Sequence, residues 1–184
     1  CALPIWLNAR QVRHVASHRA QVPETFATQI SLADHQKAAD YTAAKTKLVI
    51  AESLVQAALL LTLTLGTGLQ WIDYVWRDFM PEHEMLRGAL VILSALIISA
   101  IIDAPFDYYK TFVIDAHFGF NKMTRGMFIG DMIKQSILGI ALGAPILFAA
   151  LWLMEGAGEY WWLYLWAVWS IFNLLVLAIY PTFI

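Results

Sequence analysis

The chain has 184 residues, of which 60% are hydrophobic and 14% charged, with a formal net charge of -2 and a mean hydropathy of +0.61. A soluble domain is about half apolar and about a quarter charged, so water is excluded as the principal solvent. The near-neutral charge and the lack of any long Lys/Arg run remove the electrostatic footprint of nucleic-acid binding, so no nucleic acid is expected as a partner. Eight Trp, ten Phe and seven Tyr in so apolar a chain suit membrane spans with aromatic belts at their ends, and the lipid bilayer is the first partner implied. Cys1 is the only cysteine, which rules out an intrachain disulfide and leaves the redox compartment unread.

In chain order, Ala2-Leu3-Pro4-Ile5-Trp6-Leu7 is apolar and runs into Arg10 and Arg13, which reads as the tail of a membrane helix cut upstream rather than as a lipoprotein start at Cys1. Ser31-Leu32-Ala33-Asp34 has a capping-box pattern, with Ser31 placed to accept from the backbone and Asp34 to return the bond. The helix it starts is expected to run into the first span. Apolar stretches at Leu48–Leu69, Gly88–Ile102, Ile137–Met154 and Tyr160–Tyr180 approach the roughly 20 residues a span needs. The second is short and must extend at each end. Tyr160-Trp161-Trp162 opens the fourth, and Tyr180-Pro181 closes it with a second aromatic ring. Gly66-Thr67-Gly68 reads as a helix end. The expected fold class is therefore all-α, a polytopic membrane helical domain of four full spans plus that upstream tail.

Cations set the orientation, because Lys and Arg are retained on the cytoplasmic side. Asn8–Lys47 holds six and the loop Ala104–Gln135 holds four, against two in the loop Gln70–Arg87 and none in the turn Glu155–Glu159. Arg10 to Lys47, Ala104 to Gln135 and the C-terminus are thus expected in the cytoplasm, in a membrane taken to be a bacterial inner membrane on the style of the loops.

Glu52 and Gln56 stand at membrane depth in the first span. Glu52 is expensive in hydrocarbon, so it either snorkels outward and pairs with Lys45 or Lys47 or, with Gln56, lines a polar cavity. The stretch from Pro105 to Thr124 is too aromatic for a solvated linker and too charged for a span. Pro105 is expected to end the preceding helix, Gly119-Phe120-Asn121 to turn with Gly or Asn at positive φ, and Thr124 to cap the helix leading to Asp131 and Lys134. The result is a tight, partly buried elbow.

No catalytic or metal constellation is complete. His83-Glu84-Met85-Leu86-Arg87 puts Arg where the second ligand of a zinc helix would stand, and His14-Val15-Ala16-Ser17-His18 has Val15 where the general base belongs, flanked by Arg13 and Arg19. His35 and His117 are isolated in sequence. No Gly-x-Ser-x-Gly elbow or phosphate-cradling glycine loop occurs, and Glu82 and Glu84 read as a hydrated loop surface.

Tyr109, Phe112-Val113-Ile114, Phe118-Gly119-Phe120-Asn121-Lys122, Thr124, Phe128, Asp131 and Lys134, with Val22-Pro23, Tyr41 and Lys45 upstream and Tyr180-Pro181 at the end, resemble the type I CAAX prenyl proteases, specifically the N-terminal membrane domain of these zinc metallopeptidases. The resemblance covers nearly the whole chain. Asp115, Ala116 and His117 depart from it, standing where Glu, a second acid and a basic residue are usual. It implies an intramembrane chamber built by residues 1–184, and a catalytic domain after them carrying His-Glu-x-x-His, in which two His hold zinc and Glu takes a proton from the bound water. Zinc is thus the cofactor of the intact protein, with none bound by this segment. Peptide or protein substrates and the catalytic domain of the same polypeptide are the implied partners. Tyr109, Phe112, Phe118, Gly119, Phe120, Asn121, Lys122, Thr124, Asp131 and Lys134 would support or pack the elbow, and Glu52 and Gln56 would line the chamber. The rival class is a membrane scaffold or small transporter in which Glu52, Asp103 and Asp107 handle ions or a polar solute.

Overall fold

The structure, a computed structural model, describes residues 2–23 and 29–183, with side chains described for 3–23 and 29–178. Cys1, Ile184 and the closing aromatic ring at Tyr180 lie outside the described residues or side chains. Among the described residues six α-helices follow one another: α1 (Ala2–His18), α2 (Leu32–Thr64), α3 (Gly68–Phe79), α4 (Glu84–Tyr109), α5 (Arg125–Gly156) and α6 (Trp161–Phe183). A π-helical turn, Lys110–Asp115, continues α4, and a 3-10 turn, Gly158–Tyr160, precedes α6.

Four stretches among the described residues are long and apolar enough to cross a membrane: Leu32–Thr64, Glu84–Asp115, Arg125–Gly156 and Gly158–Ala178. Their side chains point outward to an extent that a soluble domain does not tolerate, and Ala39, Ile72, Ala89 and Ile114 are the buried apolar residues of the described chain. Such an inside-out distribution is stable only where hydrocarbon replaces water.

Helix α2 begins where the capping pattern places it. Ser31 is its N-cap and its hydroxyl accepts from the Asp34 backbone N–H at 3.1 Å. Asp34 returns a bond to the Ser31 hydroxyl, which donates to its Oδ2 at 2.6 Å; one methylene shorter than Glu, the side chain closes on Oγ. At about 1.5 Å per residue, the 33 residues of α2 exceed a hydrocarbon core of about 30 Å, so its first turns, with Lys37, Asp40, Lys45 and Lys47, extend out of the bilayer. There α1 packs on α2. Arg19 grips Asp40 through Nε at 2.6 Å and a terminal nitrogen at 2.8 Å, and a His35 ring nitrogen meets the His18 carbonyl at 3.0 Å. At its far end α2 stops before Gly66, where a Cβ would stand 2.6 Å from the Thr62 carbonyl oxygen. Thr67 takes the left-handed turn, at φ 61°.

Two sequence expectations are corrected. Pro105 does not end a helix; it sits inside α4. Proline removes one donor and leaves the Ile101 carbonyl without its usual partner, a loss that membrane helices tolerate; a π turn, Lys110–Asp115, follows five residues on. The Ala104–Gln135 connection is accordingly mostly helix, and the second span reaches from Glu84 to Asp115. Residues 70–87 are not a plain loop either: they fold as α3 and the first turn of α4, with Glu84 inside the helix. The turn at Gly119-Phe120-Asn121 takes its positive φ at Gly119, at 79°, in keeping with the expectation of Gly or Asn there.

Contacts divide the chain into two compact units, Cys1–Leu69 with Ala95–Thr124, and Gln70–Ser94 with Arg125–Ile184. The first holds the α1–α2 hairpin, the C-terminal half of α4 and the elbow. In the second, Arg87 of α4 binds Asp73 of α3 at 3.0 Å, Ala89 is fully buried, and α5 packs on α6.

Candidate functional site: a polar seam and its elbow

In the first unit, Lys37, Tyr41 and Lys45 are spaced by four, and Glu52 and Gln56 follow at seven and four more. At 100° per residue these positions share one face of α2. The elbow closes on the outer end of that face. The Tyr41 hydroxyl donates to Asp115 Oδ1 at 2.9 Å. Its ring meets Phe118 edge-on at a centroid distance of 5.4 Å and Phe120 at 5.0 Å. Lys37 lies over the Phe120 ring and Lys45 over the Tyr41 ring, each at 5.5 Å. Edge-to-face rings and a cation over a ring face both use the aromatic quadrupole, so the cluster gains beyond its buried area.

The elbow can reach Tyr41 because its backbone folds back sharply. The Phe120 and Asn121 N–H groups both donate to the Asp115 carbonyl, at 2.8 and 3.1 Å, and Gly119 donates to Ala116 at 3.1 Å. Gly119 supplies the left-handed residue that this reversal requires. The Asn121 side chain then accepts from the Met123 N–H at 2.7 Å, an Asx turn leading towards α5. Thr124 immediately precedes that helix, and His117 packs edge-on against Phe118 at 5.0 Å.

Deeper along the same face, Gln56 donates through Nε2 to Asp103 Oδ1 of α4. Glu52, one turn before, is half-buried and feels the charges of Asp103, Asp107 and Lys110. Among the described residues no ion pair joins Glu52 to Lys45 or Lys47. The cation whose charge reaches it is Lys110, at the start of the π turn that continues α4. From Tyr41 to Gln56 the seam runs about 22 Å at 1.5 Å per residue, a row of polar groups spanning from one helix to the other, with its Glu52–Gln56 end at membrane depth.

Of the residues singled out in the sequence, the structure brings Phe118, Gly119, Phe120 and Asn121 into one elbow, and sets Glu52 and Gln56 on the seam. Tyr109 is half exposed and borders a cavity of about 280 Å³ with Leu48, Pro105 and Phe106. Phe112 stacks at 4.7 Å on Tyr108. Lys122 is exposed. Asp131 and Lys134 belong to the second unit and face each other at 3.8 Å. Tyr41 is the centre that residue-by-residue site reading missed, together with its partners Lys37 and Asp115. The available signal was the four-residue spacing of Lys37, Tyr41 and Lys45.

Among the described residues no three His, Cys, Asp or Glu side chains converge on one point. His14 and His18 stack ring on ring at 4.2 Å, with a His18 ring nitrogen at 2.9 Å from the His14 carbonyl. No step through a metal can be derived from the described residues.

A polytopic helical membrane domain whose first and second spans are joined by polar groups is the class that fold and seam define. The family described as CAAX prenyl protease N-terminal, five membrane helices, matches residues 11–184, and the chain belongs to it. Among relatives it is 31% identical over 186 residues to the CAAX prenyl protease 1 homolog of Dictyostelium discoideum, covering 97% of this chain and 43% of that protein. It is 34% identical over 185 residues to that of Caenorhabditis elegans, covering 100% and 41%. The crystal structure of S. mikatae Ste24p superposes with a TM-score of 0.87 at 24% identity, over 99% of this chain and 43% of that one, which shows the fold. The chain thus spans about two fifths of the length of the curated relatives it matches.

Proposed function

We propose that residues 1–184 form the membrane chamber portion of a zinc metalloendopeptidase that cleaves CAAX-type peptide or protein substrates, with the metal and its His-Glu-x-x-His helix carried by a catalytic domain of the same polypeptide. The observation that carries this reading is the seam. Glu52, Gln56, Asp103 and Asp107 stand at span depth on facing helices, where polar side chains are retained only against protein or a water-filled cavity. Family membership supports the reading of that cavity as a protease chamber. The elbow at 115–122, braced by Tyr41, then serves as a rigid cytoplasmic support for the catalytic domain, with Lys122, Thr124, Asp131 and Lys134 on the same stretch of chain.

In this reading the charge count puts Arg10 to Lys47, Ala104 to Gln135 and the C-terminus in the cytoplasm. The expectation of a bacterial inner membrane draws no support from the relatives above, which are eukaryotic. The carboxylates of the seam also suit a polar-solute path, which keeps a transporter as the second reading. The deciding experiment places the product of the complete gene in proteoliposomes and assays cleavage of a prenylated CAAX peptide with and without a chelator. Chelator-sensitive cleavage is expected. Absence of cleavage, together with cation or solute flux through the same vesicles, would overturn the protease reading.

A further inference from the structure

Helix α3 is too short to cross a bilayer: its 12 residues cover about 18 Å at 1.5 Å each. It is joined at both ends to helices that do cross, α2 through Gly66-Thr67 and α4 through residues 80–83, so it is held at one membrane surface. At 100° per residue Leu69, Ile72, Val75, Trp76, Phe79 and Trp71 fill an arc of about 160°, with Gln70, Asp73 and Arg77 opposite.

Only part of that arc is used inside the protein. Ile72 is buried, and the Trp76 indole N–H donates to the Ser94 hydroxyl of α4 at 3.0 Å. Trp71 and Phe79 are 69% and 74% exposed. The polar side is internally matched: Asp73 accepts from Arg77 at 2.7 Å and from Arg87 at 3.0 Å. Together with Asp78, these four charges sum to zero.

We propose that α3 is an interfacial anchor, lying along the membrane surface with Trp71 and Phe79 seated in the lipid interface. Its partner is a zwitterionic lipid surface, because the matched charges leave no excess to seek anionic lipid. Indole and phenyl rings suit the headgroup boundary, where an apolar body and a polarisable face are both accommodated. Through Asp73–Arg87 and Trp76–Ser94 the anchor fixes the depth at which α4 enters the bilayer. This inference is independent of the chamber reading and of any catalytic activity.

The test uses the full-length protein in phosphatidylcholine vesicles, with nitroxide labels placed singly by Trp71→Cys, Phe79→Cys, Gln70→Cys and Arg77→Cys. Labels at 71 and 79 should collide several-fold more with oxygen than with a water-soluble nickel chelate, and labels at 70 and 77 the reverse. Dominant nickel collisions at 71 and 79 would overturn the proposal in favour of a solvated helix. Low collision rates with both reagents would overturn it in favour of a covering protein segment. Positions 71 and 79 report separately, so one variant that fails to fold leaves the other to decide.

Discussion

The helix pair α2 and α4 treats the membrane differently from the pair α5 and α6. Between the first two, polar groups reach from helix to helix: Tyr41 to Asp115, Gln56 to Asp103, and Glu52 towards Lys110. Between the second two lies an almost wholly apolar groove of about 760 Å³ walled by residues such as Leu142, Ile146, Trp162, Trp166 and Phe172. On α6 the Asn173 side chain bonds within its own helix, donating to the Trp169 carbonyl. Lipid rewards the second arrangement and penalises the first, so the seam marks the helix faces that hydrocarbon does not cover.

The largest effect should come at the seam's outer end. Tyr41→Ala removes two edge-to-face ring pairs and one hydrogen bond, about 2–4 kcal/mol in all, whereas Tyr41→Phe keeps the rings and should lose about 1 kcal/mol; thermal unfolding in detergent would rank them. Next comes Gln56→Leu. It strips the amide donor from Asp103 and should cost about 1–2 kcal/mol, while Leu174→Ala on the exposed face of α6 should stay within about 0.5 kcal/mol. Equal losses at both sites would erase the contrast between the two helix pairs.

The smallest effect belongs to pH. Hydrogen bonding from Arg77 holds the Asp73 carboxyl below its ordinary range, with Arg87 adding to it and desolvation opposing. Because the folded value is depressed, the stabilisation is present above the ordinary carboxylate pKa of about 3.9 and is lost as pH falls through the lower folded value. A spin label on α3 should therefore stay immobile from neutral pH down to about 4 and loosen below it. Asp73→Asn should remove that acid step.

Much of this was legible in the sequence, for identifiable reasons. Hydropathy exposes spans because hydrocarbon imposes one composition on everything that crosses it, and Ser31 and Gly119 announce a cap and a turn because few residues do either. Pro105 misled because the rule that proline stops a helix assumes water. Helix α3 hid in a window of mixed polarity, although Leu69, Ile72, Trp76 and Phe79 already carry the helical period. The Tyr41–Asp115 bond joins residues 74 apart in sequence, and no local pattern encodes such a pairing.

The central claim is that the Glu52–Gln56 face of α2 is turned away from lipid and meets water inside the membrane. Single cysteines at 52 and 56 in the intact protein, reconstituted in vesicles, should react with a small hydrophilic thiol reagent. Cysteines replacing Leu54 and Leu61 on the opposite, exposed face should not. Unreactive cysteines at 52 and 56 in a folded protein would contradict a water-filled chamber along this helix.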